Sequence, residues 1–276
     1  MIHIKYPDVK KFFNIFDSLT GLFDSFNFCI SKDAVYIKQM DSTHTCYVDL
    51  AIYKEDFEMY QISVDNQEYG LLLKHFVNIL GSCKDAECII IYVNNTVFNL
   101  EFRYKNYVKK FELNTINIDT VQLDIPGCDY QCEMKLASVK YCNLIDTVGI
   151  MESNFIDFHL FNDELVISGI GDIGKFKQSY LKNASVKQNQ TLKIKTNDGN
   201  VILNKIFNPE FYSLCCSNNN FQNSYSFKLM SLFKKSSRLS TSMLISMNPD
   251  QPLKIDIIIN DNTGSNLSFH LAPKIE

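Results

Sequence analysis

An internal duplication constrains this chain more than any other feature of its sequence. A shift of 130 residues places residues 26–41, FNFCISKDAVYIKQMD, on residues 156–171, IDFHLFNDELVISGIG. Apolar residues then coincide at alternating positions, as Phe28 does with Phe158. A period of two predicts β-strands with one buried face, so each copy predicts strand, turn and strand. The sequence therefore predicts two copies of one unit.

Each copy also contains segments with the spacing of amphipathic helices. Apolar side chains recur every three or four positions in residues 8–24, and residues 137–152 hold the same place in the second copy. Residues 70–83 and 226–240 predict one further helix in each copy. Together with the alternating strand segments, these helices predict an α+β fold with antiparallel sheets.

The seam between the copies is predicted near a segment that contains Pro126 and Gly127. The predicted domains are residues 1–116 and 131–276, with a connector at residues 117–130. The Asn-rich residues 217–224 are predicted to form a mobile loop inside the second copy.

A glycine pattern in the second copy suggests a competing function. Residues 166–176, VISGIGDIGKF, contain Gly169-x-Gly171-x-x-Gly174, the spacing of a dinucleotide-binding turn. Such a turn must open a helix, because the helix N-terminus binds the pyrophosphate. The segment that follows, residues 175–181, alternates like a strand instead. The pattern is therefore predicted to be a strand-to-strand corner, and no cofactor is expected.

Composition limits the compartment and the partners. The chain has 276 residues, 46% of them hydrophobic, which is enough for two ordinary domains with sizeable cores. Nine scattered cysteines and an N-terminus without a signal-peptide pattern predict reduced thiols in a nucleus or cytoplasm. No cysteine spacing predicts a metal site. Because the formal net charge is −4, any DNA contact must come from a local basic surface.

Several segments, taken together, resemble one family. The chain ends in LAPKIE at residues 271–276, and residues 39–50 read QMDSTHTCYVDL. Four further segments occur in the same order as in that family and at nearly its spacing: DSLTGLF, VQLDIP, YQCEMKLAS and PLKIDIIIND. On these segments the chain resembles proliferating cell nuclear antigen, the eukaryotic-type DNA sliding clamp, over all but roughly residues 183–225. The resemblance implies the DNA-clamp fold, in which two helices of each domain face a central pore and the sheets lie outside.

The resemblance further implies a head-to-tail homotrimer that forms a closed ring. An edge strand near residues 107–113 would pair with one near residues 175–181 of the neighbouring subunit. The implied interface residues are Lys109, Lys110, Phe111, Phe176, Gln178 and Tyr180. Because both edges carry lysines and Glu112 is their only acid, like charges are expected to weaken this pairing.

Two further surfaces follow from the resemblance. The implied DNA-facing pore residues are Lys10, Lys11, Lys74, Lys140, Lys228, Lys234, Lys235 and Arg238, with Lys84 as a further candidate. Neutral or acidic residues at Asn78, Gly81, Asn143 and Asp146 predict a weakly basic pore. The implied groove for partner peptides with glutamine, aliphatic and aromatic anchors consists of Met40, His44, Tyr47, Leu123, Ile125, Tyr130, Pro252, Leu253, Ala272 and Pro273.

The implied function is that of a DNA polymerase processivity factor. It would encircle duplex DNA without reading its sequence, and tether polymerase, clamp loader and other replication and repair proteins. No catalytic motif is present in the sequence, so an enzyme is not expected. The alternatives are a subunit of a checkpoint-type hetero-ring and a monomeric factor whose ring interface has decayed. The expected location is the nucleus, or a viral replication compartment in the cytoplasm.

Overall fold

The structure is a computed structural model of the whole chain. It describes residues 2–94, 97–119, 129–162, 164–181, 191–195, 201–205, 212–216, 220–249 and 251–274. Two predicted groove residues, Leu123 and Ile125, lie outside the described residues, as does most of the connector.

The described residues of the first half form nine strands and two helices. In chain order these are β1 (Ile2–Tyr6), α1 (Val9–Asp17), β2 (Ser25–Ile30), β3 (Ala34–Met40), β4 (Cys46–Tyr53), β5 (Met59–Ile62), β6 (Gln67–Leu72), α2 (Leu73–Ser82), β7 (Cys88–Asn94), β8 (Val97–Arg103) and β9 (Val108–Asn114). A 3₁₀ turn at Lys54–Asp56 separates β4 from β5.

The second half repeats this order with one added hairpin. Its elements are β10 (Cys132–Ala137), α3 (Ser138–Ile150), β11 (Phe155–Phe161), β12 (Glu164–Gly171), β13 (Gly174–Leu181), β14 (Thr191–Lys195), β15 (Val201–Lys205), β16 (Tyr212–Cys216), β17 (Phe221–Ser226), α4 (Phe227–Leu232), β18 (Ser242–Met247), β19 (Leu253–Asn260) and β20 (Ser265–Leu271). A 3₁₀ turn at Phe233–Arg238 continues α4, and the added hairpin is β14–β15. No helix in the described part of the chain is long and apolar enough to span a membrane.

The sheets show the duplication directly. One sheet has the order β5-β1-β7-β8-β9, and its counterpart β16-β10-β18-β19-β20 uses the corresponding strands of the second half. Likewise β4-β3-β2-β6 corresponds to β13-β12-β11-β17. Inside the chain β20 pairs with β4, so two of these sheets merge into one of nine strands. This pairing joins the two repeats.

Aromatic packing holds the helices to the sheets. Phe16 of α1 lies with its ring centroid 4.9 Å from those of Phe12 and Phe76, and 5.6 Å from that of Phe26. In the second repeat the buried Tyr141 of α3 donates a 2.8 Å hydrogen bond to the Met230 carbonyl. Since burying one such side chain stabilises a domain by roughly 1.5–3 kcal/mol, these clusters fix the helices on one face of each sheet.

The predicted α+β class and the repeated unit are confirmed, with shorter helices than predicted. Helix α1 ends at Asp17 rather than at residue 24, although Leu19 and Phe23 are buried in the turn that follows. Helix α2 begins at Leu73 because residues 67–72 pair with β2 as strand β6. The predicted loop at residues 217–224 is wrong for its last four residues, which belong to β17 and pair with β11.

The glycine pattern lies at a strand corner, as predicted. Gly171 ends β12, Gly174 begins β13, and the two residues are partners in the hairpin ladder. A Cβ atom on Gly171 would lie 1.7 Å from the carbonyl oxygen of Met151 at the end of α3. Glycine is therefore required here for close backbone approach, and the segment does not open a helix.

Candidate functional site

Two of the strands that end a sheet in the described part of the chain, β9 and β13, carry the predicted interface residues. Strand β9 ends the five-stranded sheet and β13 ends the four-stranded sheet, each with one neighbouring strand. Both edges carry half-buried aromatic residues, Phe111 and Phe176, that pack against the core. The ring of Phe111 meets Phe102 edge-on at 5.8 Å. Such open edges are templates for pairing with another chain.

The lysines of β9 are partly engaged within the chain. Lys110 forms a 3.0 Å ion pair with Glu101, which also accepts a 2.9 Å hydrogen bond from Arg103. Burial alone would raise the pKa of Glu101, but the bonds from Arg103 and Lys110 outweigh it and lower that pKa. The ammonium of Lys109 lies 5.2 Å from the ring centre of Tyr104. The positive charge on this edge is therefore smaller than the sequence alone indicates.

A cleft of about 320 Å³ opens between α3 and β13. It is lined by Leu136, Lys140, Asn143, Leu144, Thr147, Gln178, Ser179 and Tyr180. Of the predicted interface residues it includes Gln178 and Tyr180, whose side chains share a 2.9 Å hydrogen bond.

The corresponding place in the first repeat is closed. There Ile15 of α1, Ser18 at the C-cap of α1, and Leu50 and Ile52 of β4 are fully buried. The cover comes from the second repeat, because β20 pairs with β4 and the 3₁₀ turn at Phe233–Arg238 lies against α1. The cleft at α3 and β13 is the corresponding place in the second repeat, where no other described strand pairs with β13 as β20 pairs with β4.

Five predicted pore cations lie on helix surfaces. Lys10 and Lys11 belong to α1, and Lys74, Lys140 and Lys228 belong to α2, α3 and α4. Lys10, Lys74 and Lys228 are exposed, and the other two are half-buried. Within the described residues none of the five forms an ion pair.

The remaining predicted pore cations bind groups of their own chain. Lys234 pairs with Asp146, and Arg238 pairs with Asp17 across the junction of the two repeats. Lys235 donates to the hydroxyl of Thr20. Lys84 lies 3.7 Å from the ring centre of Phe13. These four side chains therefore contact groups of their own chain, unlike the five helix cations above.

The predicted peptide groove is partly assembled on adjacent strands. Met40 of β3 faces Tyr47 of β4, which in turn faces His270 of β20 at 6.0 Å between ring centroids. Burial, reinforced by nearby Lys254, lowers the pKa of His270 to about 4. His270 is therefore neutral at physiological pH and adds an uncharged ring beside Tyr47.

A buried carboxylate shapes the loop between β3 and β4. Asp41 accepts backbone hydrogen bonds from Thr43 at 3.1 Å and from Thr45 and Cys46 at 2.7 Å. Burial opposes ionisation, but the bonds from Thr43, Cys46 and Thr45 lower the pKa of Asp41 overall. The Thr45 carbonyl then accepts a 2.8 Å bond from the Ala272 N–H. The loop and the C-terminal segment are thus held together.

The other groove residues differ in accessibility. His44 is exposed and adopts a φ of 56°, Pro252 is exposed, and Ala272 and Pro273 are half-buried. Leu253 is fully buried, and Tyr47 is 4% exposed. Of the predicted groove residues, Tyr47 and Leu253 are thus buried, whereas His44, Pro252, Ala272 and Pro273 are at least partly accessible.

A buried amide fixes the end of the connector. The Asn248 side chain accepts a 2.6 Å bond from the Gln131 N–H and donates at 3.2 Å to the Asp129 carbonyl. It also donates at 2.9 Å to Gln251, next to Pro252. Asn248 therefore positions Tyr130 between these contacts. Neither Asn248 nor Asp41 was predicted, since no local pattern marks a polar residue that organises distant backbone.

One comparison with known proteins concerns the first part of the chain. Residues 1–124 match the family model described as proliferating cell nuclear antigen, N-terminal domain. Over these residues the chain is similar to the proliferating cell nuclear antigen family. The resemblance found in the sequence is thereby confirmed.

The whole chain is similar in fold to a solved clamp. The proliferating cell nuclear antigen of Entamoeba histolytica superimposes with a TM-score of 0.81 over 99% of each chain, at 19% sequence identity. The predicted clamp fold of repeated antiparallel-sheet domains is confirmed. Sliding clamps of this family are non-enzymatic scaffolds, in agreement with the expectation that the chain is not an enzyme. The family match over residues 1–124, together with this fold, supports a clamp role in DNA replication in general terms.

Proposed function

We propose that the chain is a processivity clamp that assembles head to tail with copies of itself into a homotrimeric ring around duplex DNA. One observation carries the proposal. The junction that β20 and β4 close inside the chain has a second, open counterpart at β9 and β13. Repeating one junction between chains forms a closed ring when the rotation closes.

The ladders of the two repeats define the register of the open junction. In each five-strand unit, one row of paired residues crosses the strands at the corresponding place. In the first repeat the row is Ile4–Ile91–Leu100–Phe111, and in the second it is Met134–Ile245–Ile255–Phe269. In the other sheets, Leu50 faces Ile37 as Gln178 faces Ile167. Because Phe269 faces Val48, Phe111 is expected to face Phe176 of the next subunit.

This register assigns the charges on the two edges. Glu112 faces Lys175, an attractive pair, and Lys110 faces Lys177, a repulsive one. The repulsion is moderated because Lys110 is already bound to Glu101. The same arrangement brings the β9 edge over the cleft beside α3, where β20 covers the first repeat. Ring closure would therefore bury the exposed Val108 and Leu181 as well.

DNA would pass along the helices, held by contacts that do not read bases. The proposed phosphate contacts are the five helix cations that form no ion pair among the described residues: Lys10, Lys11, Lys74, Lys140 and Lys228. Contacts of this kind neutralise phosphate charge and give no sequence preference. With so few cations, retention would depend on encirclement more than on electrostatic attraction.

Partner proteins would bind at the groove beside the β3–β4 loop. Met40 offers a flexible apolar contact, and His44, Pro252, Ala272 and Pro273 form an adaptable rim for an extended peptide. A polymerase held there would remain at high local concentration near the primer end, which raises processivity without chemistry.

The mass of the native protein in solution tests the ring. We expect a trimer at micromolar concentration, and a monomer for Phe111→Asp, in which the central aromatic pair is lost. Val64→Asp, at an exposed apolar residue away from both edges, is the matched control and should remain trimeric. A wild-type protein that stays monomeric at low salt would contradict the homo-ring and favour a monomeric factor. A trimer that forms only with a related chain would favour a hetero-ring.

Retention on DNA tests encirclement. The clamp is loaded by its loader ATPase on nicked circular DNA, and the circle is then cut at one site. Release on cutting is expected for a ring that slides off an end. Retention after cutting would show that binding is electrostatic and would contradict the proposed mechanism.

A further inference from the structure

Two cysteines face each other across the last pair of strands in the nine-stranded sheet. Cys132 of β10 and Cys216 of β16 are partners in the antiparallel ladder, and all cysteines in the described residues are thiols. Directly opposed residues point to the same face, with Cα atoms about 4.5–5.5 Å apart. A disulfide needs a Cα separation of roughly 4.4–6.8 Å. The Cα separation that the ladder imposes on this pair is therefore compatible with a disulfide.

The two sulfurs differ in access. Cys132 is fully buried, and burial raises its pKa to about 12. Cys216 is half-buried in β16, which forms the edge of the sheet and pairs only with β10 among the described strands. In the first repeat the corresponding partners are Ile2 and Ile62. The second repeat thus has two thiols where the first repeat has two aliphatic side chains.

We propose that Cys132 and Cys216 form an oxidisable dithiol that closes to a disulfide in the presence of a peroxide. The Cys216 sulfur attacks one peroxide oxygen, so an S–O bond forms, the O–O bond breaks and one water leaves. This step oxidises the sulfur to a sulfenic acid and reduces the peroxide. The Cys132 sulfur then attacks the Cys216 sulfur, forming the S–S bond and breaking the S–O bond. The displaced hydroxide leaves with the Cys132 proton as a second water.

A third cysteine provides an internal control. Cys215 is exposed and faces Glu133 in the same ladder. Because neighbouring residues of a strand point to opposite faces, its side chain lies on the other side of the sheet from Cys132. It can be oxidised by the same peroxide, but it cannot close the intramolecular bond.

The bond would fasten the edge strand to the sheet. Strand β16 has one neighbour among the described strands, and β10 directly follows the connector segment fixed by Asn248. Oxidation would therefore tie the edge of the second domain covalently to the strand at its entrance. This modification does not depend on the ring or on DNA.

The test is mapping of thiols after exposure of the native protein to hydrogen peroxide. Remaining thiols are blocked with N-ethylmaleimide in denaturant, and the unreduced digest is analysed by mass spectrometry. We expect a linked peptide pair that contains Cys132 and Cys216 and lacks two hydrogens, and the same pair in Cys215→Ser. Cys216→Ser should lose the link and leave Cys132 open to the maleimide. In Cys132→Ala the sulfenic acid on Cys216 should persist and react with dimedone.

Two outcomes would overturn the proposal. One is a Cys132 that stays fully reactive to maleimide while Cys215 is oxidised. The other is a linked pair that joins Cys215 to another cysteine, or two chains to each other.

Discussion

Charge reversal at Lys175 tests the register proposed for the ring interface. In that register Lys175 faces Glu112 of the neighbouring subunit, so Lys175→Glu turns an attractive pair into a repulsive one. Cross-strand charge pairs contribute roughly 0.2–1 kcal/mol, and exposed pairs are of the same size. We take about 0.7 kcal/mol for each interface, or about 2 kcal/mol for a ring with three interfaces. Because 1.4 kcal/mol corresponds to a factor of ten, the association constant of the trimer should fall about 30-fold.

Sedimentation of a dilution series at low salt measures this change. Because the concentration at half-assembly follows the square root of the trimer dissociation constant, it should rise about fivefold. Lys177→Glu makes the same charge change on the same strand, but it places an acid opposite Lys110 and should strengthen assembly. Both effects should fade near 1 M salt, where the screening length is about 3 Å. If both reversals shift assembly in the same direction, net charge rather than register governs the edge, and the derivation is wrong.

Three further results are expected. Asp41→Asn removes the charge that holds the β3–β4 loop and should lower the free energy of unfolding by about 2 kcal/mol at neutral pH. Since the pKa of Asp41 is lowered in the folded state, this stabilisation is present above the ordinary pKa of about 3.9 and is lost as the pH falls further. Urea unfolding should therefore show a smaller difference in stability between wild type and Asp41→Asn at about pH 3 than at pH 7. Phe111→Leu should leave the melting temperature of the monomer nearly unchanged while weakening the trimer, as dilution followed by native mass spectrometry would show. Asp146→Asn should free Lys234 to contact a phosphate. The plot of the logarithm of the DNA association constant against the logarithm of salt concentration should then steepen by about one for each engaged subunit. Asp146→Asn combined with Lys234→Gln should restore the original slope.

Periodicity predicted those elements whose burial is regular. The hairpins of β2–β3 and β11–β12 lie where the 130-residue shift places them, because alternating apolar residues specify strand register. Helix ends were less well predicted. Leu19 and Phe23 keep the spacing of α1 and are buried, yet they belong to a turn. Short strands such as β5, whose residues are only partly buried, carry no comparable pattern and were not predicted.

Sequence analysis predicted the candidate site residues but did not predict which groups they contact. The pore cations and groove residues came from the resemblance, which states where a family places residues but not what each one touches here. Arg238 and Asp17 are 221 positions apart in the chain, and their ion pair depends on the tertiary packing of the two repeats. The same holds for Asn248, which binds backbone groups on both sides of Tyr130. Such contacts depend on three-dimensional neighbours that no local spacing encodes.

The pairing of β20 with β4 also sets a delay during synthesis. Cys46 and its partner Leu271 are separated by more than 200 residues, so at about 5–20 residues per second β4 waits roughly 10–40 s for its neighbour. During that interval the nascent chain presents β4 in the same state that β13 keeps in the finished monomer. Two chains translated on one messenger can then exchange C-terminal strands. The strand pairing that is proposed to close the ring would thus also join unfinished chains to one another.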